Sequence, residues 1–365
     1  MARCTALYRQ DAVRQRRMIE TDDIICRRQG AAGVMTLNRP SALNALTLEM
    51  VRAMRQSLDA WASDPAVTRI VLQAAGERAF CAGGDIRRLY DLGMAGEHEE
   101  ALQFWREEYQ LNALIRRYPK PYIALIDGIV MGGGVGVSLH GSHRIAGDRY
   151  LFAMPEVGIG FFPDVGATYA LPRLPDSTGI YIALTGERLK RADGLALGLA
   201  TATVPSERLT DLREALCAGE PVDGTITAHH RDPGPPPIDE HRSVIAESFD
   251  AKTVGEILAR LDRFAAGSEF AQRCAETMRS KSPTSLAITL EQMHRGGAVD
   301  FDEAMRIEFR IVSRVIRGTD FYEGVRTTLF EKGIKPAWNP QSVEEVDADA
   351  VAGYFAPLDR ELELP

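Results

Sequence analysis

The sequence predicts an α/β core followed by a helical C-terminal region, and three observations carry that prediction. Short apolar runs bounded by glycine or proline alternate with helical periodicity as far as about residue 215. Residues 231–238 then read RDPGPPPI, which suits neither a helix nor a central strand. From Val254 to Gly333 the apolar spacing is helical almost throughout, with Leu258, Leu261, Phe264 and Ala265 on one stripe. The expected organisation is thus an α/β core over 18–215, a proline-rich linker over 216–253 and a helical region over 254–365, with residues 1–17 set apart.

Within the core, Ile24–Arg28 and Val34–Leu37 read as strands joined through the Gly-bearing turn Gln29–Gly33, a hairpin. Asn38-Arg39-Pro40 breaks the second strand. Thr47 is a natural N-cap for a helix with Met50, Met54, Leu58 and Trp61 on one face. Arg69–Gln73 is a short buried strand closed by Gly76. Leu102 to Arg117 has helical period, and Pro119 and Pro121 end it. Tyr122–Ile126 is a further strand, followed by Asp127-Gly128 and a run of glycines.

Composition excludes several classes of function. A net charge of −8 disfavours general binding to nucleic acid or to anionic membranes. The five cysteines are odd in number, scattered and without a CxxC pair, so neither a disulfide framework nor a zinc site is expected. No apolar run approaches a bilayer span. Arg3, Arg9, Arg14, Arg16 and Arg17 give the first residues the composition of a transit peptide. Residues 1–17 are read here instead as a disordered tail or misassigned start, with Met18 the natural beginning. The cytoplasm is the expected compartment, or mitochondria if residues 1–17 are a cleaved leader.

Four segments carry chemistry. In Phe80–Ile86 the adjacent Gly83 and Gly84 leave backbone N–H groups open to a ligand. In Met131–Gly136 the glycines open an apolar helix, whose first amides carry the positive end of the dipole. Two such amides could form an oxyanion hole; tight helix–strand packing is the alternative reading of either turn alone. Neither is a P-loop, because no Gly-Lys-Ser/Thr follows. In Phe152–Asp164, Glu156 and Asp164 stand in an otherwise apolar, Gly- and Pro-rich run, where burial would raise their pKa values; capping of a turn or helix is the alternative. Finally, Glu108 interrupts the apolar face formed by Phe104, Leu111 and Ile115, and so needs a ligand hydroxyl or a core arginine. His140 and His143 lack metal-pair spacing and are read as structural, with no metal.

The chain resembles the crotonase (enoyl-CoA hydratase/isomerase) superfamily, and most closely its 3-hydroxyisobutyryl-CoA hydrolase branch, from about Ile24 to Leu358. The resemblance rests on FCAGGDI (Phe80–Ile86), FWREEYQLN (Phe104–Asn112), GIVMGGGVGVSLHG (Gly128–Gly141), FAMPEVGIGFFPDVGATYALPRL (Phe152–Leu174) and DFYEGVRTTLFEKGIKPAW (Asp320–Trp338). It implies a spiral of ββα units, an oxyanion hole at Gly84 and Gly133, and an acyl-CoA substrate. Hydratases of the superfamily use two glutamates; the place of one is Gly136 here, leaving Glu156 and, as the second acid of the hydrolase branch, Asp164. The resemblance also implies substrate contacts at Glu108, Gly83, Asp85, Asn38 and Asn44. Ala167-Thr168 departs from the branch's pattern, standing where relatives often have glycines, and is expected to narrow the acyl pocket. No cofactor is implied, coenzyme A being part of the substrate. A homo-oligomer is compatible with the family. The implied reaction is hydrolysis of a β-hydroxyacyl-CoA thioester in valine breakdown. The alternatives are an enoyl-CoA isomerase or hydratase using Glu156 alone, and a non-catalytic acyl-CoA binder.

Overall fold

Residues 21–365 are described by the structure, a computed structural model; the segment 1–17 and the Met18 start lie outside them. β1 (Ile24–Gln29) pairs antiparallel with β2 (Ala32–Leu37), from Ile24 against Leu37 to Gln29 against Ala32. The turn is therefore only Gly30-Ala31, tighter than expected, because Gly30 takes the positive φ (+55°) that a two-residue hairpin requires. α1 (Leu48–Ser63) starts where Thr47 accepts a hydrogen bond from the Met50 N–H, and buries Met50, Met54 and Leu58.

β3 (Arg69–Ala74) and β4 (Ala79–Cys81) precede α2 (Ile86–Met94) and α3 (His98–Arg116). α3 begins four residues before the expected Leu102, since Glu99 and Glu100 suit the positive end of its dipole. β5 (Tyr122–Ile126) and β6 (Ile129–Met131) lead into the short α4 (Gly133–Gly136). β7 (His143–Ala146) and β8 (Leu151–Ala153) lead to α5 (Ala167–Ala170) and α6 (Thr178–Thr185). β9 (Leu189–Lys190), α7 (Arg191–Ala196) and β10 (Ala202–Thr203) complete the core.

After the β1–β2 hairpin, whose two strands share one sheet, the first strand of each later ββ pair joins one sheet and the second joins another. β3, β5 and β7 lie in a six-stranded sheet ordered β1-β2-β3-β5-β7-β10, whereas β4, β6 and β8 lie in a four-stranded sheet ordered β4-β6-β8-β9. Successive parallel pairings, such as Val71 with Ile123 and Leu125 with Ile145, advance the chain by one unit each time. This is the expected spiral. The alternation of side chains sets its two faces: Met35, Leu37, Ile70 and Leu72 point into the main core, and Ala32, Val34 and Val71 point away.

The outward face is covered by α8 (Leu209–Ala218) and α9 (Val222–His229), through Leu212, Leu216 and Ile226. Within 216–253, expected as a linker, residues 220–221, 230–236 and 250–253 lie outside helices and hydrogen-bonded turns; α9 and α10 (Arg242–Phe249) are helices with buried faces. The prolines end α9 and seed a 3-10 turn at Pro237–His241 rather than freeing the segment. α11 (Val254–Ala265), α12 (Glu269–Arg279), α13 (Pro283–Gly296), α14 (Phe301–Val315), α15 (Asp320–Val325) and α16 (Ala348–Gly353) follow. Leu286, Phe309 and Phe321 from these helices share one apolar cluster with the strands and with α3.

Candidate active site

Two glycine turns, one helix face and two acid-bearing loops meet around a cleft of about 310 Å³. The first turn follows β4, where Gly83 takes φ +120°, a region open to glycine. Its neighbour Gly84 bridges to Leu46 through the Leu46 N–H on Gly83 O and the Asp85 N–H on Leu46 O, which leaves the Gly84 N–H outside the bridge. The second turn follows β6: Gly132, at φ +46°, swings the chain so that Gly133 becomes the first residue of α4. A first-turn amide has no acceptor within its helix, so the Gly133 N–H is also available. Both glycines line the cleft.

α3 lays Phe104, Trp105 and Glu108 along the cleft wall, and Phe161 stacks on Trp105 with ring centroids 5.6 Å apart. Glu108 is 2 % exposed, and a methyl group built on Gly133 would lie 2.5 Å from its Oε1. That oxygen has no hydrogen-bond partner among the described residues. Among the described residues no core arginine pairs with Glu108: the charges acting on it are those of Asp164 and Glu308. The helix thus carries a free acceptor against the glycine turn.

Glu156 opens the 3-10 turn Glu156–Ile159 after β8 and is 7 % exposed, with Oε2 unpartnered among the described residues. Its Oε1 would sit 3.2 Å from a methyl on Gly132. Asp164, 4 % exposed, accepts a 2.8 Å hydrogen bond from the Tyr109 hydroxyl. Burial drives every acid here toward its neutral form. The Glu156 and Glu108 carboxyls are held well above the usual range by burial and by the neighbouring Asp164. Burial lifts Asp164 to about 7 against the Tyr109 hydrogen bond, which lowers it. Glu308 from α14 completes the group, raised to about 8 by burial and by Asp164. Such a cluster retains protons at neutral pH and can both give and take them.

The structure therefore brings Glu108, Glu156, Asp164, Gly83, Gly84 and Gly133 to one place, and leaves three expected contacts outside it. Asn44 is buried and its amide is spent within the fold, donating to Ala75 O and Ala79 O and accepting from the Arg39 N–H. Asn38 donates to Asp22 O near the surface. Asp85 caps α2 through the Arg88 N–H and pairs with Arg39 at 3.1 Å. Thr168 does not narrow the cleft either: its N–H donates to Glu308 and its hydroxyl accepts from Gln292. His140 donates its Nε2–H to Val165 O at 2.7 Å, while His143 meets Asp223.

Gly136 has no room for a side chain. A methyl there would lie 2.7 Å from Val165 Cβ and 2.8 Å from Asn112 Nδ2. The position at which a hydratase of this fold would place its other glutamate is filled by neighbouring atoms.

Comparison with known proteins fixes the family. A family profile described as enoyl-CoA hydratase/isomerase matches residues 32–355. The chain belongs to the enoyl-CoA hydratase/isomerase family. Within that family it is 43 % identical over 350 residues to a mitochondrial 3-hydroxyisobutyryl-CoA hydrolase of Xenopus tropicalis, covering 93 % of this chain and 90 % of the relative. The Homo sapiens protein of the same name is 42 % identical over 347 residues, 92 % and 89 % of the two chains. Among solved structures, a Mycobacterium thermoresistibile protein described as a carnitinyl-CoA dehydratase superposes with TM-score 0.90 at 41 % identity, over 94 % of this chain and 99 % of its own. An enoyl-CoA hydratase of Rhodobacter sphaeroides gives TM-score 0.88 at 38 % identity, over 94 % and 100 %. The superfamily resemblance and the crotonase-like fold are both borne out.

Sequence reasoning missed Tyr109, Glu308, Lys281 and the Trp105–Phe161 wall. Glu308 bore the same mark that singled out Glu108: it interrupts the apolar face of Met305 and Val312 on its helix.

Proposed function

We propose that this family member hydrolyses a β-hydroxyacyl-CoA thioester, 3-hydroxyisobutyryl-CoA in the first instance, to the free acid and coenzyme A. The observation that carries the reading is the pairing of a buried Glu156 and Asp164 beside two open amides, with the Gly136 position closed. The names of the relatives over most of the chain support the same substrate.

In the reaction the thioester oxygen sits between the Gly84 and Gly133 N–H groups, which gain strength as its negative charge grows. Each such donor contributes roughly a hundred- to a thousandfold in rate. Glu156 acts in its ionised form, which burial makes scarcer at neutral pH: it either attacks the acyl carbon, giving an anhydride that water then opens to free acid and Glu156, or takes a proton from the attacking water. Its raised proton affinity makes it a stronger base than a surface glutamate. Asp164, holding a proton near neutrality, supplies it as the carbon–sulfur bond breaks, and Tyr109 orients it. Glu108 offers its free oxygen to a substrate hydroxyl. The reaction needs no cofactor beyond the coenzyme A of the substrate.

Thiol release from 3-hydroxyisobutyryl-CoA, compared between the wild type, Glu156→Gln and Asp164→Asn, tests the assignment. Both variants are expected to lose at least a hundredfold, the usual contribution of an acid–base group. Wild-type rates in either would remove that residue from the mechanism. The second reading, hydration or isomerisation through Glu156 alone, is favoured by the descriptions of the two solved structures. Consumption of an enoyl-CoA without thiol release would establish it. We place the enzyme in the cytoplasm on composition, or in mitochondria, as the hydrolase relatives are named, if residues 1–17 direct it there; imaging of the full chain decides between them.

A further inference from the structure

Asp164 lies on a strained segment of backbone. Its neighbour Val165, β-branched, takes φ +54°, a left-handed conformation that such residues rarely adopt, and Gly166 follows at +92°. A strained turn persists only when its surroundings over-determine it. Here the determination comes from the helical C-terminal region and one core histidine. Glu308 on α14 accepts from the Gly166 N–H at 2.8 Å through Oε2 and from the Thr168 N–H at 2.9 Å through Oε1. Gln292 on α13 donates its amide to Pro163 O at 2.6 Å and to the Thr168 hydroxyl at 2.7 Å. His140 holds Val165 O at 2.7 Å. Every backbone group from Pro163 to Thr168 that these side chains grip is buried, and Gln292, Glu308 and Thr168 are fully so.

We propose that Glu308 and Gln292 are positioning residues of the hydrolytic site, a two-helix clamp that holds the Pro163–Thr168 turn in its left-handed form so that the Asp164 carboxyl meets both Tyr109 and the cleft. The proposal rests on the hydrolase reading of Asp164 given above. The choice of a carboxyl follows from the geometry: two N–H donors converge on one side chain, and both oxygens of a carboxyl, ionised or protonated, keep lone pairs to accept them, whereas an amide has one acceptor only. A glutamine at 308 would accept from one N–H and turn its own N–H₂ toward the other. The released amide would free the turn to relax from φ +54°, and Asp164 would follow. Its displacement leaves acyl-CoA binding intact, because the oxyanion amides and the aromatic wall belong to other elements.

The test is steady-state thiol release by Glu308→Gln and Gln292→Met, with Asp164→Asn as reference. Glu308→Gln is expected to lower kcat by about a hundredfold, the scale of an ångström-level misplacement of a reacting group. Its KM should stay within about twofold of the wild type, as follows for loss of an interaction made only in the transition state. Gln292→Met should lower kcat by on the order of tenfold, the scale of its two lost buried hydrogen bonds acting through the turn. An unchanged kcat in both variants, or a KM that rises as far as kcat falls, overturns the clamp. Should Glu308→Gln fail to fold, Gln292→Met decides by the same split. Full activity in Asp164→Asn instead overturns the role of Asp164, whatever the clamp variants show.

Discussion

Replacing Asp164 with asparagine should stabilise the folded chain at alkaline pH while removing activity, and one cause underlies both effects. Asp164 is buried near Glu108, Glu156 and Glu308, with the Tyr109 hydroxyl as its hydrogen-bond partner. Burial raises its carboxyl from 3.8 to about 7. In the unfolded chain that carboxyl ionises near its ordinary value, so between about pH 4 and 7 the folded state keeps a proton that the unfolded state has released. Stability therefore falls as pH rises through this window and levels off above it. The whole difference amounts to about 4 kcal/mol, at about 1.4 kcal/mol per tenfold change in proton affinity. Asparagine does not titrate, and its carbonyl still accepts from Tyr109. The advantage of Asp164→Asn over the wild type should thus grow by roughly 3 kcal/mol between pH 5 and pH 8. An unfolding entropy of about 2.1 cal/mol/K per residue converts this to about 4 °C in Tm for a chain of this length. Calorimetry of the two proteins across that range measures it, beside thiol release that falls by about two to four orders of magnitude. A Tm difference that is flat with pH, or that shrinks toward pH 8, would refute the claim that Asp164 is held neutral by its surroundings.

Three further substitutions probe other parts of the cleft. Gly136→Glu should not create a hydratase: its side chain meets Val165 and Asn112, and overpacking of this kind costs about 1–3 kcal/mol. A lower Tm with no enoyl-CoA hydration is the expected result. Gly133→Ala places a methyl against Glu108 Oε1 and Leu46, so kcat should fall by about a hundredfold through the displaced oxyanion amide, read by thiol release. Lys281 lines the cleft, and burial lowers its ammonium pKa without a carboxylate within ion-pair distance among the described residues. Lys281→Met should raise KM for the acyl-CoA by about tenfold, on the scale of a lost charge-assisted hydrogen bond, and leave Tm unchanged or higher.

Local chemistry made much of the fold readable. Thr47, Gly30 and the Tyr122–Ile126 run each determine their element through short-range rules of capping, positive φ and β propensity. The same holds for Glu108, whose place in an apolar stripe betrayed it. The reading failed where the answer depended on distant chain. No periodicity reveals that Asn44 closes its own turn on Ala75 and Ala79, 31 and 35 residues away. Asp85 looks like a ligand group in FCAGGDI until Arg39 is seen beside it. The proline run misled for a related reason: it forbids helix locally, yet α9 before it and α10 after it pack because the outer sheet face and the apolar core need covering. Glu308 stood 144 positions from Asp164 in the sequence, and only the folded chain shows that their charges act on each other.

The division of the chain at residue 254 into core and helical region cuts through the chemistry. The core supplies the oxyanion amides, Glu108, Glu156 and Asp164. The later helices supply Glu308 and Gln292 against the turn that bears Asp164, and the segments that follow α12 and α15 bring Lys281 and Thr328 to the cleft wall. Three carboxyls line the cleft and Glu308 acts on two of them, Glu108 and Asp164; ionised together they repel one another, and a fold that only enclosed them would relax by opening. Two features oppose that relaxation. Each acid keeps its proton more tightly than in water, and the Glu308 oxygens are engaged by backbone amides whose alternative is burial without a partner. The proposed hydrolysis uses the same tension: Glu156 and Asp164, both raised in proton affinity by burial, serve as base and acid beside the thioester carbonyl. On the proposed clamp the helical region holds the active-site turn in place, so that variants beyond the prolines should reach the reaction through Asp164 as variants of the glycine turns reach it through the carbonyl.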